Sequence, residues 1–179
     1  MNLPNKLTLL RVIMIPFFLV CLYIPTVSTR WAALVLFCAA SLTDALDGHI
    51  ARKYGLVTNF GKFMDPLADK LLVCSAMIAL SDVESAVMLP SWIVIIVIAR
   101  EFVITGFRTL AAEQNIVIAA GFWGKLKTIC QMIMIIVLLV NIDNIVFNIA
   151  SYVLIALSLL LTVISAADYI VKNKNVLHD

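Results

Sequence analysis

The sequence predicts an all-α integral membrane protein with six transmembrane helices, a short interfacial helix at the N-terminus and both termini in the cytoplasm. Hydrophobic residues make up 63% of its 179 residues, whereas soluble domains are about half apolar, and the mean hydropathy is +1.07. A helix needs about 20 apolar residues to span a bilayer. Six stretches are long enough, and they leave no room for a soluble domain, so residues 1–179 are expected to form one membrane domain. The predicted spans are residues 9–25, 31–50, 64–81, 86–112, 117–140 and 145–171.

The distribution of positive charge predicts how these spans are oriented. If the N-terminus lies inside and six spans follow, all but one of the 13 lysines and arginines fall in the cytoplasm or in the inner half of the membrane. The exception is Arg30. Cytoplasmic loops are enriched in Lys and Arg, so both termini are predicted to be cytoplasmic. The segment from Asp44 to Asp69, between the second and third spans, then faces the cytoplasm.

Local signals place the first three elements. The N-terminal NLPNKLTLLR predicts an interfacial anchor, and the span after it is expected to be retained because no A-x-A cleavage site follows. Residues 58–61 suit a turn between the second and third helices. Asp65 is predicted to be the N-cap of the third helix, with Pro66 in its first turn, where the missing N–H costs nothing.

The last three spans differ in their charges. The fourth contains the basic segment AREFVITGFR, residues 99–108, and the fifth begins near GKLKT, residues 124–128. The sixth is almost entirely apolar until Asp168, which could pair with a lysine or reach a functional site. Acidic residues mark the outer loops, namely Asp82, Glu84 and Asp143.

The segment between the second and third spans carries four carboxylates in an otherwise apolar chain. Asp44 and Asp47 are spaced i, i+3 and Asp65 and Asp69 i, i+4, so each pair lies on one helix face. An antiparallel hairpin would bring the pairs together. Ionised groups near hydrocarbon are costly and persist mostly for function, and carboxylate oxygens suit a hard divalent cation. The alternative is a structural salt-bridge cluster with Arg52, Lys53, Lys62 and Lys70.

This segment resembles the signature of the CDP-alcohol phosphatidyltransferases, D-x-x-D-G-x-x-A-R-x8-G-x-x-x-D-x-x-x-D. Members of that family are six-helix membrane enzymes that transfer a phosphatidyl group from a CDP-linked lipid to an alcohol and release CMP. The resemblance therefore implies CDP-diacylglycerol as the donor, a cell-membrane location with the active site at the cytoplasmic face, and a homodimer through membrane helices. The matching positions are Asp44, Asp47, Gly48, Ala51, Arg52, Gly61, Asp65 and Asp69.

The resemblance also implies roles for these residues. Asp44, Asp47 and Asp65 would be ligands of two divalent cations, Mg²⁺ or Mn²⁺, and Asp69 would contact the second ion and act as the general base. The CDP moiety would lie against two residues of the second helix, with a glycine on the third allowing close approach. These three residues are Gly48, Arg52 and Gly61.

The two basic segments bear on the acceptor alcohol. They carry more positive charge than nearby Glu101 and Glu113 balance, and an acceptor with a phosphate group would account for the excess. The alternatives are pairs of Glu101 with an arginine, and anchoring of the lysines at the membrane surface. Both segments, and the N-terminal one, also resemble those of family members that use sn-glycerol 3-phosphate. The predicted phosphate contacts are Arg108 and Lys125, followed by Arg100 and Lys127.

Other functions are consistent with parts of this pattern. The same chemistry could serve inositol phosphate, serine or a phospholipid as the acceptor. A cation transporter would normally hold its ion at the bilayer midplane, whereas these acids lie at the cytoplasmic edge. A scaffold without turnover is a third alternative. The formal net charge is only +2, and no nucleic-acid partner is expected.

Overall fold

The part of the chain that the structure describes contains six helices in chain order. The computed structural model describes residues 3–53, 59–113 and 121–173, with side chains throughout except at residues 3–4, 45–53, 59–60, 62–63 and 112–113. The all-α prediction is confirmed, since these ranges contain helices and no strand. The helices are α1 (Leu3–Tyr23), α2 (Val27–Lys53), α3 (Asn59–Leu80), α4 (Ser91–Glu113), α5 (Phe122–Val140) and α6 (Ile145–Lys172).

Three of these helices are long and apolar enough to cross a membrane by themselves. They are α1 over Asn5–Tyr23, α5 over Phe122–Val140 and α6 over Ile145–Lys172. Over their described residues, the other three fall short of this criterion, and they carry the charges of the acidic segment and of the basic segment on α4. The chain is thus an integral, multi-pass membrane protein, and the spanning of α2, α3 and α4 remains a prediction.

The helix starts differ from the predicted ones at several places, and three of the differences involve a proline. The predicted separate interfacial helix is wrong, because α1 runs unbroken from Leu3 and has Pro4 in its first turn, where proline is tolerated. The predicted N-cap at Asp65 is also wrong, because α3 begins at Asn59 and contains Pro66. Membrane helices tolerate an interior proline. The fourth helix begins after Pro90 rather than at residue 86, because proline disfavours a helical residue before it.

The helix ends around the α5–α6 connection follow from two asparagines. Asn141 follows the last residue of α5 with a φ of 49°, a left-handed conformation that asparagine adopts more readily than most residues. Asn144 is the N-cap of α6, and its side chain accepts a hydrogen bond from the backbone N–H of Val146 at 3.0 Å. The two helices are therefore joined by a short, well-capped turn.

The chain divides into two compact units. The N-terminal unit comprises Met1–Ser85 with Leu138–Asn141, and the C-terminal unit comprises Ala86–Val137 with Ile142–Asp179. In the N-terminal unit, α1 packs against both α2 and α3, which have far less direct contact with each other. The rings of Phe18 and Phe37 lie 5.9 Å apart at the α1–α2 contact.

The C-terminal unit is built on contacts of α6 with α4 and α5. Phe107 of α4 meets Tyr169 of α6 edge to face, with ring centroids 5.8 Å apart. Gln131 of α5 donates a hydrogen bond to the hydroxyl of Thr162 on α6 at 3.5 Å. Because both side chains are buried, each polar group satisfies the other within an apolar core.

Arg30 ties two segments of the N-terminal unit to the start of α2. Its guanidinium donates hydrogen bonds to the backbone carbonyls of Leu138 and Leu139, at 3.1 and 3.2 Å, and to that of Glu84 at 3.0 Å. The first two belong to the last turn of α5, where carbonyls lack partners within the helix. One side chain thus caps α5 and fixes the connection between α3 and α4.

We expect Arg30→Ala to destabilise the protein by about 2 kcal/mol, because hydrogen bonds from a charged group contribute roughly 1.5–3 kcal/mol. Thermal unfolding in detergent should show a lower midpoint than the unaltered protein. Lys172→Ala is the control, because its exposed i, i+4 pair with Asp168 contributes only about 0.5 kcal/mol. Equal midpoints for the two variants would contradict this role of Arg30.

Candidate functional site

Both predicted carboxylate pairs lie on helices. α2 continues through Lys53, so Asp44 and Asp47 are about one turn apart on it, and Asp65 and Asp69 are in the same relation on α3. The side chain of Asp44 is 43% exposed, and Asp65 and Asp69 are partly exposed. These carboxylates are therefore accessible while their backbones are rigid. The side chains of Asp47 and Arg52, and the surroundings of Gly48, lie outside the described residues.

Two side chains of α1 contact the carboxylates of the other two helices. The guanidinium Nη1 of Arg11 lies 2.6 Å from Oδ1 of Asp44 on α2. The hydroxyl of Thr8 donates a hydrogen bond to Oδ1 of Asp65 on α3, also at 2.6 Å. Arg11 and Thr8 are both 0% exposed. The first helix therefore contacts one acid of α2 and one of α3, and these two with Asp47 and Asp69 are called the acidic group below.

Neither contact was predicted from the sequence. The N-terminal segment was interpreted as an anchor and as part of the acceptor pattern, and the two acidic helices were expected to meet as a hairpin. A signal was nevertheless present: Asn5, Thr8 and Arg11 recur every three residues on an apolar helix, which puts them on neighbouring positions of one face. Which helices that face would contact cannot be read from the spacing.

The donor set of this group fits a hard divalent cation. Its members are carboxylates, whose oxygens Mg²⁺ and Mn²⁺ prefer, and the described contacts of Asp44 and Asp65 involve only one oxygen of each. Among the described side chains, no three His, Cys, Asp or Glu residues lie close enough to hold a metal ion, and Asp47 is not in that set. The salt-bridge alternative did not include Arg11, which is the partner of Asp44.

Gly61 and Ala68 give this part of α3 a small-residue surface. Gly61 lies one turn before Asp65 and is buried, and Ala68 is 0% exposed beside Asp69. Small side chains let another backbone or a bulky ligand approach a membrane helix closely. The buried glycine in the turn before Asp65 is consistent with the predicted close approach at this position.

The second group of charges lies in the C-terminal unit, where α4 meets α5. Arg100 and Lys127 both pair with Oε1 of Glu101, Arg100 through Nη1 at 2.9 Å. Lys127 is only 3% exposed, and a buried ammonium requires such a counter-charge. Gly124 borders this triad, since a Cβ atom there would lie at an ordinary contact distance of 3.9 Å from Nη2 of Arg100.

The four predicted phosphate-binding residues thus have two kinds of surroundings. Arg100 and Lys127 belong to the triad, and the buried Nε of Arg100 has no hydrogen-bond partner among the described residues. Arg108 and Lys125 are exposed. Lys125 and Lys127 point to different sides of α5, as expected for positions about 200° apart. The Arg100–Glu101 pair, left as an alternative by the sequence, is present.

Asp168 adopts one of its two predicted alternatives. Its Oδ1 pairs with Lys172 one turn later on α6, at 2.7 Å. Its Oδ2 lies 3.7 Å from the position that a Cβ atom would take at Gly121, immediately before α5. A carboxylate near the N-terminus of a helix is favourable because the helix dipole is positive there. Asp168 therefore stabilises the start of the helix that carries Lys125 and Lys127.

Comparison with known proteins gives a family match over most of the chain. The sequence model of the CDP-alcohol phosphatidyltransferase family matches residues 1–164. The chain is 43% identical to the CDP-diacylglycerol–glycerol-3-phosphate 3-phosphatidyltransferase of Bacillus subtilis, over 96% of this chain and 95% of that protein. Identity to the enzyme of the same name from Haemophilus influenzae is 37%, over 99% and 96% of the two chains. Identity to a probable phosphatidylglycerophosphate synthase of Mycobacterium tuberculosis is 40%, over 96% and 81%.

We expect Glu101→Gln to destabilise the protein by about 3 kcal/mol, because it leaves the buried Lys127 without its counter-charge. The double variant Glu101→Gln/Lys127→Met should regain part of that loss, since it removes the buried ammonium and leaves only the charge of Arg100 in the triad. Thermal unfolding in detergent measures both effects. Glu84→Gln, an exposed acid of similar size, should change stability by less than about 0.5 kcal/mol. If Glu101→Gln alone were as stable as Glu84→Gln, the burial of Lys127 would not depend on the charge of Glu101.

Proposed function

This chain belongs to the CDP-alcohol phosphatidyltransferase family, and from that premise we propose that it transfers the phosphatidyl group of CDP-diacylglycerol to sn-glycerol 3-phosphate, releasing CMP and forming phosphatidylglycerophosphate. The observation that carries this proposal is the similarity, over almost the entire chain, to enzymes whose names specify this donor and this acceptor. Residues 1–179 are proposed to form one catalytic membrane domain.

Family membership implies dependence on a divalent metal. We assign two ions, Mg²⁺ or Mn²⁺, to Asp44, Asp47, Asp65 and Asp69, whose carboxylates provide the oxygen donors that such ions prefer. When bound, the ions neutralise charge on the phosphates of the donor. The position of the acids on two rigid helices, each contacted by α1, supports this assignment, because ligands need a fixed geometry to favour one coordination arrangement.

Asp69 is proposed to be the general base. The hydroxyl oxygen of the acceptor attacks the phosphorus atom that bears the diacylglycerol, the bond from this phosphorus to the phosphate oxygen of CMP breaks, and CMP leaves with the electron pair. The hydroxyl proton passes to a carboxylate within hydrogen-bonding distance. Asp69 suits this role because it is partly exposed and lies one turn from Asp65.

The donor is proposed to lie along α2. Gly48 and Arg52 follow Asp44 at intervals of four residues, and α2 is helical through Lys53, so the three share one stripe. A glycine on this stripe admits the CDP moiety, and the guanidinium of Arg52 suits its phosphates. Gly61 on α3 is proposed to allow the same close approach from its own helix.

The acceptor phosphate is proposed to bind basic residues of α4 and α5. Lys125 is exposed in the first turn of α5, and a helix N-terminus with a nearby cation favours a phosphate group. Arg108 is likewise exposed, and this accessibility supports placing these two residues ahead of Arg100 and Lys127, which are 12% and 3% exposed. The buried Nε of Arg100 is nevertheless a donor that an anion could use.

Three further proposals concern the setting of the reaction. The protein is assigned to the cell membrane, where its lipid donor and product reside. The active site is assigned to the cytoplasmic face, because the positive charge pattern orients the acidic segment inward and the acceptor is water-soluble. Assembly as a homodimer through membrane helices is proposed from family membership.

We expect the purified protein in detergent, supplied with CDP-diacylglycerol and Mg²⁺, to release CMP only when sn-glycerol 3-phosphate is added. EDTA should abolish release, and Asp69→Asn should lower kcat by at least about 100-fold, because a general base contributes roughly 10²–10⁴-fold. Lys172→Gln, which removes only the exposed pair with Asp168 on α6, is the control variant. Release with inositol phosphate or serine instead would support the reaction class and contradict the assignment of sn-glycerol 3-phosphate as the acceptor.

We expect Lys125→Gln to raise the KM for glycerol 3-phosphate by about 10- to 100-fold while changing kcat little, because a hydrogen bond from a charged group contributes roughly 1.5–3 kcal/mol. Steady-state kinetics at saturating CDP-diacylglycerol measures this change. The KM for CDP-diacylglycerol should stay constant, which separates loss of the phosphate contact from a general defect. An unchanged KM for glycerol 3-phosphate would show that Lys125 does not contact the acceptor phosphate.

A further inference from the structure

The buried face of α1 is polar in its first half and apolar in its second. Such an arrangement is unusual for a helix apolar enough to span a membrane, because buried polar groups are costly without partners. The buried residues of this face are Asn5, Thr8, Arg11, Ile15, Phe18 and Leu22.

Two of the polar residues have strong partners in the acidic group. Thr8 and Arg11 each bind one oxygen, Oδ1, of one carboxylate, at 2.6 Å in both cases. Asp65 and Asp44 therefore each retain a second oxygen, Oδ2, for which the structure gives no hydrogen bond to the described residues. The two contacts come from adjacent turns of one helix and reach two different helices.

A contact of this kind fixes the orientation of a carboxylate. A rigid donor at one oxygen restrains rotation of a carboxylate and leaves both lone pairs of its other oxygen open to a ligand, and such supporting contacts commonly orient metal ligands. Arg11 is wholly buried, so packing restricts its movement and holds its guanidinium against Asp44. Thr8 is also wholly buried, and its side chain has few alternative rotamers in a helix.

We propose that Thr8 and Arg11 are positioning residues of the metal site: Thr8 orients Asp65 and Arg11 orients Asp44, so that Oδ2 of each carboxylate is directed to the divalent ions. This inference rests on the proposed function for the identity of the metal ligands, and it adds two residues of α1 that do not themselves contact the ions. It also explains why α1, rather than a direct α2–α3 hairpin, joins the two acidic helices.

The test measures metal affinity directly, without turnover. Binding of Mn²⁺ to the full-length protein in detergent, with no lipid substrate, can be followed by the loss of the free Mn²⁺ signal in electron paramagnetic resonance. Thr8→Val keeps the shape of the side chain and removes its hydroxyl, whereas Thr8→Ser retains the hydroxyl. Thr109→Val on α4 is the matched control, because this exposed threonine bonds only to the carbonyl of Thr105 on its own helix.

We expect Thr8→Val to weaken Mn²⁺ binding by about 10- to 100-fold, the usual effect of losing a contact that orients a ligand. Thr8→Ser should stay within about threefold of the unaltered protein, and Thr109→Val should not differ from it. The Mn²⁺ concentration needed for half-maximal CMP release should shift in parallel with the affinity. Equal Mn²⁺ affinity in Thr8→Val and Thr109→Val would overturn the role of Thr8.

Arg11 is tested by Arg11→Lys and Arg11→Met. Both should weaken Mn²⁺ binding, and Arg11→Met should do so more, because it also removes the charge that fixes Asp44. Tighter binding in Arg11→Met would overturn the role of Arg11, since it would show that the guanidinium competes with the ions. If the Arg11 variants do not fold, the comparison of Thr8→Val with Thr8→Ser still decides the matter for α1.

The outcomes also separate this inference from the proposed function. Asp44→Asn and Asp65→Asn should lower Mn²⁺ affinity if these acids are ligands at all. If they do so while Thr8→Val has no effect, the metal site stands and the positioning role fails. If neither Asp variant changes Mn²⁺ affinity, the proposed metal site fails, and the inference about α1 fails with it.

Discussion

The structure depends on one constraint: every charge that an apolar helix buries must meet a partner of opposite charge or a set of polar groups. Ionised groups lose several kcal/mol on leaving water, and only close pairing recovers it. In the N-terminal unit, the wholly buried Arg11 meets Asp44. In the C-terminal unit, the buried Lys127 meets Glu101. Each pair joins two different helices, so the need for compensation selects which helix faces can pack together.

The same constraint explains how much of the fold could be predicted. Apolar length indicates all six helices, because a run of hydrophobic residues is a local property. Their starts were less accurate where proline was involved: Pro66 suggested a helix start and lies inside α3, whereas Pro90 lay within a predicted span and precedes α4. A proline is compatible with a first turn, an interior position or a break, and the surrounding packing decides among them.

The candidate site could likewise be predicted only in part. The spacing of the acidic residues places each pair on one helix face, because that relation lies within one helix. The contacts of Thr8 with Asp65 and of Arg11 with Asp44 join residues 57 and 33 positions apart, and they depend on α1 packing against both α2 and α3. Likewise, the sequence indicated a pair of Glu101 with an arginine of α4 as an alternative, and the carboxylate of Glu101 also binds Lys127 of α5. Spacing identifies candidate faces, and packing determines their partners.

The Glu101 triad has a consequence for the proposed acceptor. Two cations share one carboxylate, so the triad retains a single net positive charge within an apolar environment. A phosphate that approached a pair of uncompensated cations would be bound tightly, and its release would be slow, because charge interactions strengthen as the local dielectric constant falls. Partial compensation by Glu101 reduces that attraction while leaving the exposed Lys125 and Arg108 to attract an anion from solution. The arrangement therefore favours an acceptor that carries a phosphate and must exchange in every turnover, whereas serine would gain little from these charges.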